Sequence, residues 1–504
     1  MPLAIDSTVK NNSYDYFEKA LITDNGFREY DVRWLLGKEI NANGFFLMGQ
    51  AYGTYAQERL ATNRVVVGHD FRKYSQDLCR SMILGLLATG MEVVDIGLAL
   101  SPMLYFAQHH HKCRAGMQVT ASHNENGWTG IKLAHNLSLT LGPDDIQELR
   151  QLVHGGLFKS GRGLYIQDFN LAHHYAQDLL QGPPLSRPVK VVVAAGNGTG
   201  GHFAPDVLRR LGCEVIPLDC SADWEFSKHN PNPEDMAFLH DLSKAVLDHG
   251  AEIGIGVDGD GDRIGVVDDQ GNELFSDKLG LLLARWLCPQ YPGRSVVIDV
   301  KSTGLFLKDP VLQAANAEIL LCKTGHSYMK AKVNGSGALV GFEKSGHWFF
   351  NTPLGRGYDD CLVSSIYLLR MLDALSTPLS QLAQQLPKTW QSPTMAPYCA
   401  DHQKYQVVEE MIRLFQQQKE QGVLIGGQAI DSLVTVNGVR FVFADGSWGL
   451  IRASSNKPTL VVVAEACASL NQLYDIIEHI QRVLHETGLV GEYDQQMPPR
   501  PVSF

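Results

Sequence analysis

The chain has 504 residues, of which 44% are hydrophobic and 19% are charged. This composition is that of a globular protein and excludes a fibrous or wholly disordered chain. The formal net charge of -11, without a basic run, argues against binding to nucleic acid or to an anionic membrane surface.

The cysteines and the apolar segments indicate the compartment. Nine cysteines are scattered along the chain without a CxxC pair, which favours a reducing compartment over a disulfide framework or a zinc site. The first residues lack a basic stretch followed by an apolar core, so no signal peptide is expected. The apolar region near residues 82–91 is too short to span a bilayer. We expect a cytoplasmic protein.

The first three quarters of the chain repeat one pattern, in which a β-branched run is followed by a loop, a helix-like stretch and a second apolar run. The first runs are at residues 64–68, 190–195 and 295–300, and the second runs are at 91–97, 213–219 and 317–322. The two runs of each pair begin roughly 25 residues apart, which suits a unit of strand, helix and parallel strand. The repeat predicts three α/β domains of similar build.

The last hundred residues have a different pattern. From Leu433 onward, apolar strands are separated by Asn437-Gly438 and Asp445-Gly446, which are hairpin signals. A helical pattern follows, with one apolar face formed by Leu470, Leu473, Ile476, Ile477, Ile480 and Val483. The pattern predicts an α+β domain. We place the four domains at residues 1–165, 166–274, 275–385 and 386–504.

The sharpest local motif runs from Asp258 to Arg263 and reads Asp-Gly-Asp-Gly-Asp-Arg. Two unit charges about 5 Å apart repel by roughly 3 kcal/mol at an effective dielectric near 20, so three converging carboxylates need a cation. Oxygen ligands of this kind suit Mg²⁺ or Ca²⁺. A solvated acidic turn is one alternative. An EF-hand loop is another, but it needs Gly and Glu where this chain has Arg263 and Asp269.

Three more loops carry chemically useful groups, although each alone is compatible with an ordinary turn. Ser122 stands beside His123 after a short apolar run, and the Ser could act as a nucleophile or phosphate carrier. Residues 341–347 combine carboxylate, hydroxyl and imidazole groups that suit sugar hydroxyls. Residues 452–458 join a guanidinium, hydroxyls and an amide, which suits phosphate.

Two further motifs favour structural readings. The three histidines at 109–111 are adjacent in a predicted helix and so do not share a face, which favours a solvated or capping run over a metal cluster. The glycine-rich stretch at 196–201 departs from the dinucleotide-binding pattern and favours a structural turn.

Together the motifs, from the stretch Phe27–Arg33 to Ala466, give the chain a clear family resemblance. It resembles the α-D-phosphohexomutases, and most closely bacterial phosphomannomutase/phosphoglucomutase. The resemblance implies three similar α/β domains with mixed sheets and a C-terminal α+β domain like the TATA-binding protein, around a central cleft. It implies transfer of phosphate between O1 and O6 of mannose or glucose phosphates, with Mg²⁺ and a hexose 1,6-bisphosphate intermediate, in a monomer or weak homodimer.

The resemblance also assigns roles to individual residues. Ser122 would carry the phosphoryl group and would hold Mg²⁺ with Asp258, Asp260 and Asp262. The catalytic residues would include Lys132, His326, His347, Arg33 and Arg263. The substrate-binding residues would be Tyr30, Lys301, Glu343, Ser345, Arg452, Ser454, Ser455 and Asn456. A role for Lys132 as a base would require a lowered pKa.

Some positions depart from the family pattern, which leaves the substrate open. The departures are at Ala195, Glu125, Thr129, Lys344 and residues 455–457. None removes a reacting group. Phosphoglucosamine mutase and a sugar-phosphate-binding homologue without catalysis remain the alternatives.

Overall fold

A computed structural model of the chain describes residues 19–454 and 457–495, together with 497 and 500. Two compact units are present: the first consists of residues up to Ser276 together with Ser345–Gln381, and the second consists of Asp277–Lys344 and the chain from Leu382. The units therefore do not follow chain order, because residues 345–381 return to the first unit.

The first sheet lies in the first unit and has the strand order β1-β5-β4-β2-β3-β7. Its strands are β1 (Val32–Leu35), β2 (Arg64–His69), β3 (Glu92–Leu98), β4 (Ala115–Val119), β5 (Trp128–His135), β6 (Leu139–Thr140) and β7 (Leu164–Gln167). Its helices are α1 (Ala42–Arg59), α2 (Ser75–Ala88), α3 (Ser101–His110), α4 (Pro143–Gly155) and α5 (Leu171–Leu179), and a 3₁₀ turn covers Asp24–Gly26. The strands β2, β3, β4 and β7 are parallel, whereas β5 is antiparallel to both β1 and β4.

The second sheet also lies in the first unit. Its elements are β8 (Lys190–Ala194), α6 (Gly200–Leu211), β9 (Glu214–Leu218), α7 (Met236–His249), β10 (Ile253–Val257), β11 (Ile264–Asp268) and β12 (Glu273–Leu274). The strand order is β12-β11-β10-β8-β9, and β8 is parallel to both β9 and β10. Because β10 and β11 are antiparallel, the residues between them form one tight connection. This connection is the acidic motif.

The third sheet has three parallel strands in the second unit, in the order β14-β13-β15. The elements of this region are α8 (Ser276–Leu287), β13 (Val296–Asp299), α9 (Leu305–Lys308), α10 (Pro310–Ala314), β14 (Ile319–Cys322), α11 (His326–Ser336) and β15 (Val340–Phe342), with a 3₁₀ turn at Cys288–Gln290. The chain then forms β16 (Trp348–Phe350), α12 (Cys361–Leu375) and α13 (Leu379–Gln384). In all three sheets the repeated pair of apolar runs forms two parallel neighbours, as the sequence predicts.

The C-terminal sheet is antiparallel throughout, in the order β17-β22-β21-β20-β19-β18. Its elements are β17 (Trp390–Gln391), α14 (Lys404–Glu420), β18 (Leu424–Ile425), β19 (Gln428–Val434), β20 (Val439–Phe443), β21 (Trp448–Ala453), β22 (Leu460–Ala466) and α15 (Leu470–Glu486). Gly438 and Gly446 take φ values of 79° and 95° in the two predicted turns. The apolar face of α15 packs in the core of this domain.

The predicted fold class is confirmed by these sheets, which form three α/β regions followed by a sheet-rich α+β region. No helix within the described ranges combines the length and the apolar character needed to cross a lipid bilayer.

A buried carboxylate joins several elements of the second unit. The side chain of Glu465, in β22, is fully buried. It accepts hydrogen bonds from Thr303 Oγ1 at 2.8 Å, from the Gly304 N–H at 2.8 Å and from Trp448 Nε1 at 2.8 Å. Thr389 Oγ1 also donates to it over 2.8 Å. Since these donors come from separate segments, the carboxylate fixes their relative positions.

We predict that Glu465→Ala lowers the free energy of unfolding by about 3 kcal/mol or more, because it leaves several buried donors without an acceptor. Urea denaturation followed by far-UV circular dichroism measures the change. The matched control is Glu409→Ala on the exposed face of α14, which should change the free energy by about 0.5 kcal/mol or less. Equal stability of the two variants would contradict the role given to Glu465.

Candidate active site

Ser122 lies in the loop after β4, in a conformation that is unusual for a residue with a side chain. Its φ is 49°, in the left-handed region, which costs about 1–2 kcal/mol for a residue other than glycine. The residue is 4% exposed. Its hydroxyl donates to Asp258 Oδ2 over 3.0 Å, and Nδ1 of His123 lies 3.2 Å from the Ser122 hydroxyl oxygen. The predicted phosphate carrier and the predicted metal loop are therefore in direct contact.

Two arginines donate hydrogen bonds to backbone carbonyl oxygens of the loop that contains Ser122. The buried guanidinium of Arg72 donates to Ser122 O over 2.9 Å and to Glu125 O over 3.0 Å. The guanidinium of Arg33 donates to Ala121 O over 2.7 Å. Arg33 is predicted from the sequence, whereas Arg72 is missed. The only signal for Arg72 is its place in the loop that follows β2.

The acidic loop between β10 and β11 brings three carboxylates together. Asp258, Asp260 and Asp262 are buried, and one oxygen of each lies within 4.8 Å of the others. The loop is tied by Oδ1 of Asp258, which accepts the N–H groups of Gly261 at 2.9 Å and of Asp262 at 3.0 Å. Gly261 has a φ of 76°, which favours glycine.

Gly259 allows the acidic loop to approach the loop that contains Ser122, between β4 and β5, which we call the serine loop. A Cβ added at Gly259 would lie 2.2 Å from the carbonyl oxygen of Ser122, which is far inside van der Waals contact. The two backbones therefore meet at a distance that only glycine permits at this position.

Positive side chains surround the carboxylates. Lys132 Nζ donates to Asp260 Oδ2 over 2.8 Å and also contacts Asp262. Arg263 Nε donates to Asp258 Oδ2 over 3.2 Å, and Arg263 Nη1 donates to Glu234 over 2.9 Å. Two of the predicted catalytic residues, Lys132 and Arg263, therefore contact the carboxylates of the acidic loop directly.

The charges shift the pKa values of these groups. Burial raises the pKa of Asp258, and the neighbouring carboxylates Asp262 and Asp260 raise it further. Burial opposes the ammonium of Lys132, but Asp260 and Asp262 outweigh burial and hold its pKa well above the usual value. A role for Lys132 as a base requires a lowered pKa, and these two contacts act in the opposite direction. The sequence shows the lysine but not that two carboxylates contact it.

The acidic loop fits a hard divalent cation. Asp260 Oδ1 is buried and has no hydrogen-bond partner among the described residues. Carboxylate oxygens in this number, with a hydroxyl beside them, are the donors that Mg²⁺ accepts. Asp258, Asp260, Asp262 and Ser122 are the residues that would hold it.

The segment that returns to the first unit adds an imidazole to the acidic loop. His347 Nε2 lies 3.5 Å from Asp262 Oδ1 and 3.9 Å from Asp359 Oδ2. The hydroxyl of Ser345 lies 3.1 Å from His347 Nδ1. His347 and Ser345 are thus brought to the carboxylates, while Tyr30 lies half-buried just before β1.

In the second unit, three predicted residues follow the carboxyl ends of parallel strands. Lys301 follows β13, His326 begins α11 after β14, and Glu343 follows β15. Because the carboxyl ends of parallel strands lie at one edge of a sheet, these residues share that edge. Glu343 Oε1 accepts the N–H of Gly325 over 2.9 Å, immediately before His326.

A buried arginine that was not predicted from the sequence donates hydrogen bonds to the backbone at this edge of the sheet. Arg440 in β20 donates to Val300 O over 2.9 Å and to Ser302 O over 2.8 Å, on both sides of Lys301. Its guanidinium lies 4.0 Å from the ring centroid of Trp448. The backbone around Lys301 is therefore held by a side chain more than a hundred residues away.

The predicted phosphate loop begins in the last two residues of β21, and Arg452 there is mostly buried. Lys404 is buried in α14, and its Nζ donates to Ser454 O over 2.6 Å and to Lys457 O over 3.1 Å. Lys404 therefore holds the backbone at Ser454 and at Lys457. Ser455 and Asn456 lie outside the described residues.

Comparisons with known proteins agree with this architecture. Models of phosphoglucomutase/phosphomannomutase α/β/α domains I, II and III match residues 24–159, 173–271 and 275–390. A phosphomannomutase/phosphoglucomutase of Pseudomonas putida is 32% identical over 91% of this chain and 95% of its own length. A phosphoglucomutase of Neisseria gonorrhoeae is 33% identical over 89% of this chain and 94% of its own length.

A solved structure gives the same result. The chain is similar to a phosphoglucomutase/phosphomannomutase family protein of Burkholderia thailandensis, with a TM-score of 0.84 and 30% identity, over 94% of this chain and all of the other. The fold is that of a phosphohexomutase. The chain belongs to the phosphoglucomutase/phosphomannomutase family, and the resemblance read from the sequence is confirmed.

We predict that Asp260→Asn weakens Mg²⁺ binding at least tenfold, because it removes one negative charge from the group that would hold the cation. Isothermal titration of the purified protein with MgCl₂ measures the affinity. Asp144→Asn, at an exposed position in the first turn of α4, is the control and should leave the affinity unchanged. Equal affinity in the Asp260 variant and the unmodified protein would refute the assignment.

Proposed function

We propose that the protein catalyses the reversible transfer of a phosphoryl group between O1 and O6 of mannose or glucose phosphates. Ser122 carries the phosphoryl group, and a hexose 1,6-bisphosphate is the intermediate and activator. The observation that carries the proposal is the buried Ser122 hydroxyl, held at positive φ and 3.0 Å from Asp258 of the acidic loop. The relatives that this chain matches are named for the same reaction.

The reaction proceeds by two transfers. In the first, the free hydroxyl of the sugar phosphate attacks phosphorus, the bond from phosphorus to Ser122 Oγ breaks, and the proton of the attacking hydroxyl passes to a base. The bisphosphorylated sugar then reverses its orientation. In the second, Ser122 Oγ attacks the other phosphoryl group and the sugar oxygen leaves with a proton. Lys132, His326 and His347 are the proton-transfer residues proposed. Asp260 and Asp262 hold the pKa of Lys132 high, which suits it to donate a proton, and accepting one would require that pKa to fall.

The chain's own residues mainly position the groups and balance their charge, as phosphoryl transfer requires. Arg33 and Arg72 hold the serine loop by its carbonyl groups, and Arg263 balances Asp258. Mg²⁺, when bound to Asp258, Asp260, Asp262 and Ser122, would offset the negative charge of the phosphoryl group.

We assign substrate binding to the residues that the family resemblance indicates. Tyr30 lines the serine loop, and Glu343 and Ser345 bind the sugar hydroxyls. The non-reacting phosphate is bound by Lys301, Arg452, Ser454, Ser455 and Asn456. Four domains, at residues 1–165, 166–274, 275–385 and 386–504, contribute one loop each. The free cysteines suit the reducing cytoplasm, where we place a monomer or weak homodimer.

We predict that Ser122→Ala lowers mutase turnover roughly a thousandfold or more, because the phosphoryl carrier is lost. Intact-mass and peptide analysis should find one phosphate on Ser122 of the unmodified protein and none on the variant. Ser160→Ala, at an exposed position, is the matched control and should retain both the phosphate and the activity. Full activity in the Ser122 variant would end the proposal.

We predict that kcat/KM is at least tenfold higher for mannose or glucose 1-phosphate than for glucosamine 1-phosphate. The three sugars share their phosphates, so discrimination depends on contacts at C2, where one hydrogen bond is worth about 1–3 kcal/mol. The assay includes catalytic hexose 1,6-bisphosphate to phosphorylate Ser122.

The same substrate panel separates the alternatives. A relative from Pyrococcus furiosus, named a probable phosphoglucosamine mutase, is 31% identical over 86% of this chain and 92% of its own length. Preference for glucosamine phosphate would favour that activity. Binding of all three sugar phosphates without turnover would indicate a non-catalytic homologue.

A further inference from the structure

A second group of metal-ligating side chains lies at the C-terminal end of α3. His110 and His111 meet Asp168, which lies between β7 and α5, and one ligand atom of each residue lies within 4.8 Å of the other two. Nε2 of His111 is 2.8 Å from Oδ2 of Asp168. The ring centroids of His110 and His111 are 5.0 Å apart, and their planes are perpendicular.

The end of the helix explains how adjacent histidines reach one point. The sequence pattern favours a solvated or capping run, because neighbours within a helix do not share a face. However, α3 ends at His110, and His111 is the capping residue beyond it. The chain turns there, so the two rings converge. His109 has a different partner, since its Nε2 lies 2.9 Å from the hydroxyl of Ser138.

A third imidazole lies beside this pair. The ring centroid of His174, in α5, is 4.8 Å from that of His110. Nδ1 of His174 is buried and makes no hydrogen bond to any described residue. The cluster therefore contains an unused nitrogen donor in addition to the three ligand atoms already close together.

The donor atoms of this cluster indicate which class of metal ion it could bind. Imidazole nitrogens with one carboxylate suit Zn²⁺, Ni²⁺ or Cu²⁺ rather than Mg²⁺. Tetrahedral ligands at about 2.0–2.1 Å from Zn²⁺ lie roughly 3.3 Å from one another, so small side-chain rotations are sufficient here. The negative end of the α3 dipole also favours a cation at this position.

We propose that His110, His111 and Asp168 form a transition-metal site for Zn²⁺, with His174 or water in the fourth position. The site is separate from the acidic loop. A bound ion would tie the C-terminal end of α3 to the connection between β7 and α5. At the other end of this ten-residue helix, Ser101 Oγ donates to Asp260 Oδ2 over 2.6 Å. The helix, about 15 Å long, thus joins the two sites.

The test is isothermal titration of the tag-free full-length protein with ZnCl₂ in a buffer saturated with Mg²⁺. We expect one Zn²⁺ per chain, and at least tenfold weaker binding in the double variant His110→Ala/His111→Ala and in Asp168→Asn. With CoCl₂ as the probe, the unmodified protein should give a visible absorption band that the double variant lacks. Circular dichroism checks that the variants are folded.

Two control variants make the result specific. His249→Ala removes an exposed histidine at the end of α7 and should leave Zn²⁺ binding unchanged. Asp260→Asn changes the acidic loop and should also leave it unchanged. The proposal is overturned if no Zn²⁺ binds, if the double variant binds as tightly as the unmodified protein, or if binding is lost only in the Asp260 variant. The last outcome would place Zn²⁺ in the acidic loop.

Discussion

Mutual repulsion among three buried carboxylates is the constraint on which the proposed active site depends. Asp258, Asp260 and Asp262 cannot be removed from water together unless positive charge and hydrogen-bond donors compensate them. The structure supplies backbone N–H groups, the guanidinium of Arg263 and the ammonium of Lys132. Burial and the two neighbouring carboxylates nevertheless raise the pKa of Asp258. A divalent cation at the acidic loop would add further positive charge.

The sequence predicts much of the fold because local pattern and tertiary structure agree. The β-branched runs become parallel strands, the Asn-Gly and Asp-Gly pairs become turns, and the apolar face of α15 packs in the core. The division of the chain into two compact units could not be predicted from local patterns. Residues 345–381 join the first unit, and nothing in the local pattern of that segment indicates which core it packs against. The domain limits drawn in chain order therefore remain predictions.

In the candidate site, too, local motifs could be predicted from the sequence, whereas long-range contacts could not. The acidic motif can be recognised in the sequence because its three carboxylates lie within five residues of one another. The roles of Arg72 and Arg440 could not be predicted from the sequence, because each donates hydrogen bonds to the backbone of a loop that is distant in sequence. The contacts that raise the pKa of Lys132 come from Asp260 and Asp262, 128 and 130 positions later, so the local sequence does not indicate them. The cluster at His111 depends on the exact residue at which a helix ends and on an aspartate 57 positions later.

The close approach at Gly259 has a consequence for how such sites diverge. The separation between the serine carbonyl and the acidic loop is set by a missing side chain rather than by an attractive contact. The absence of a side chain at position 259 therefore sets the smallest separation that the two loops can reach. Enlarging it would push two loops apart while leaving every reacting group chemically intact, so a chain could lose its chemistry and still keep a complete set of family motifs.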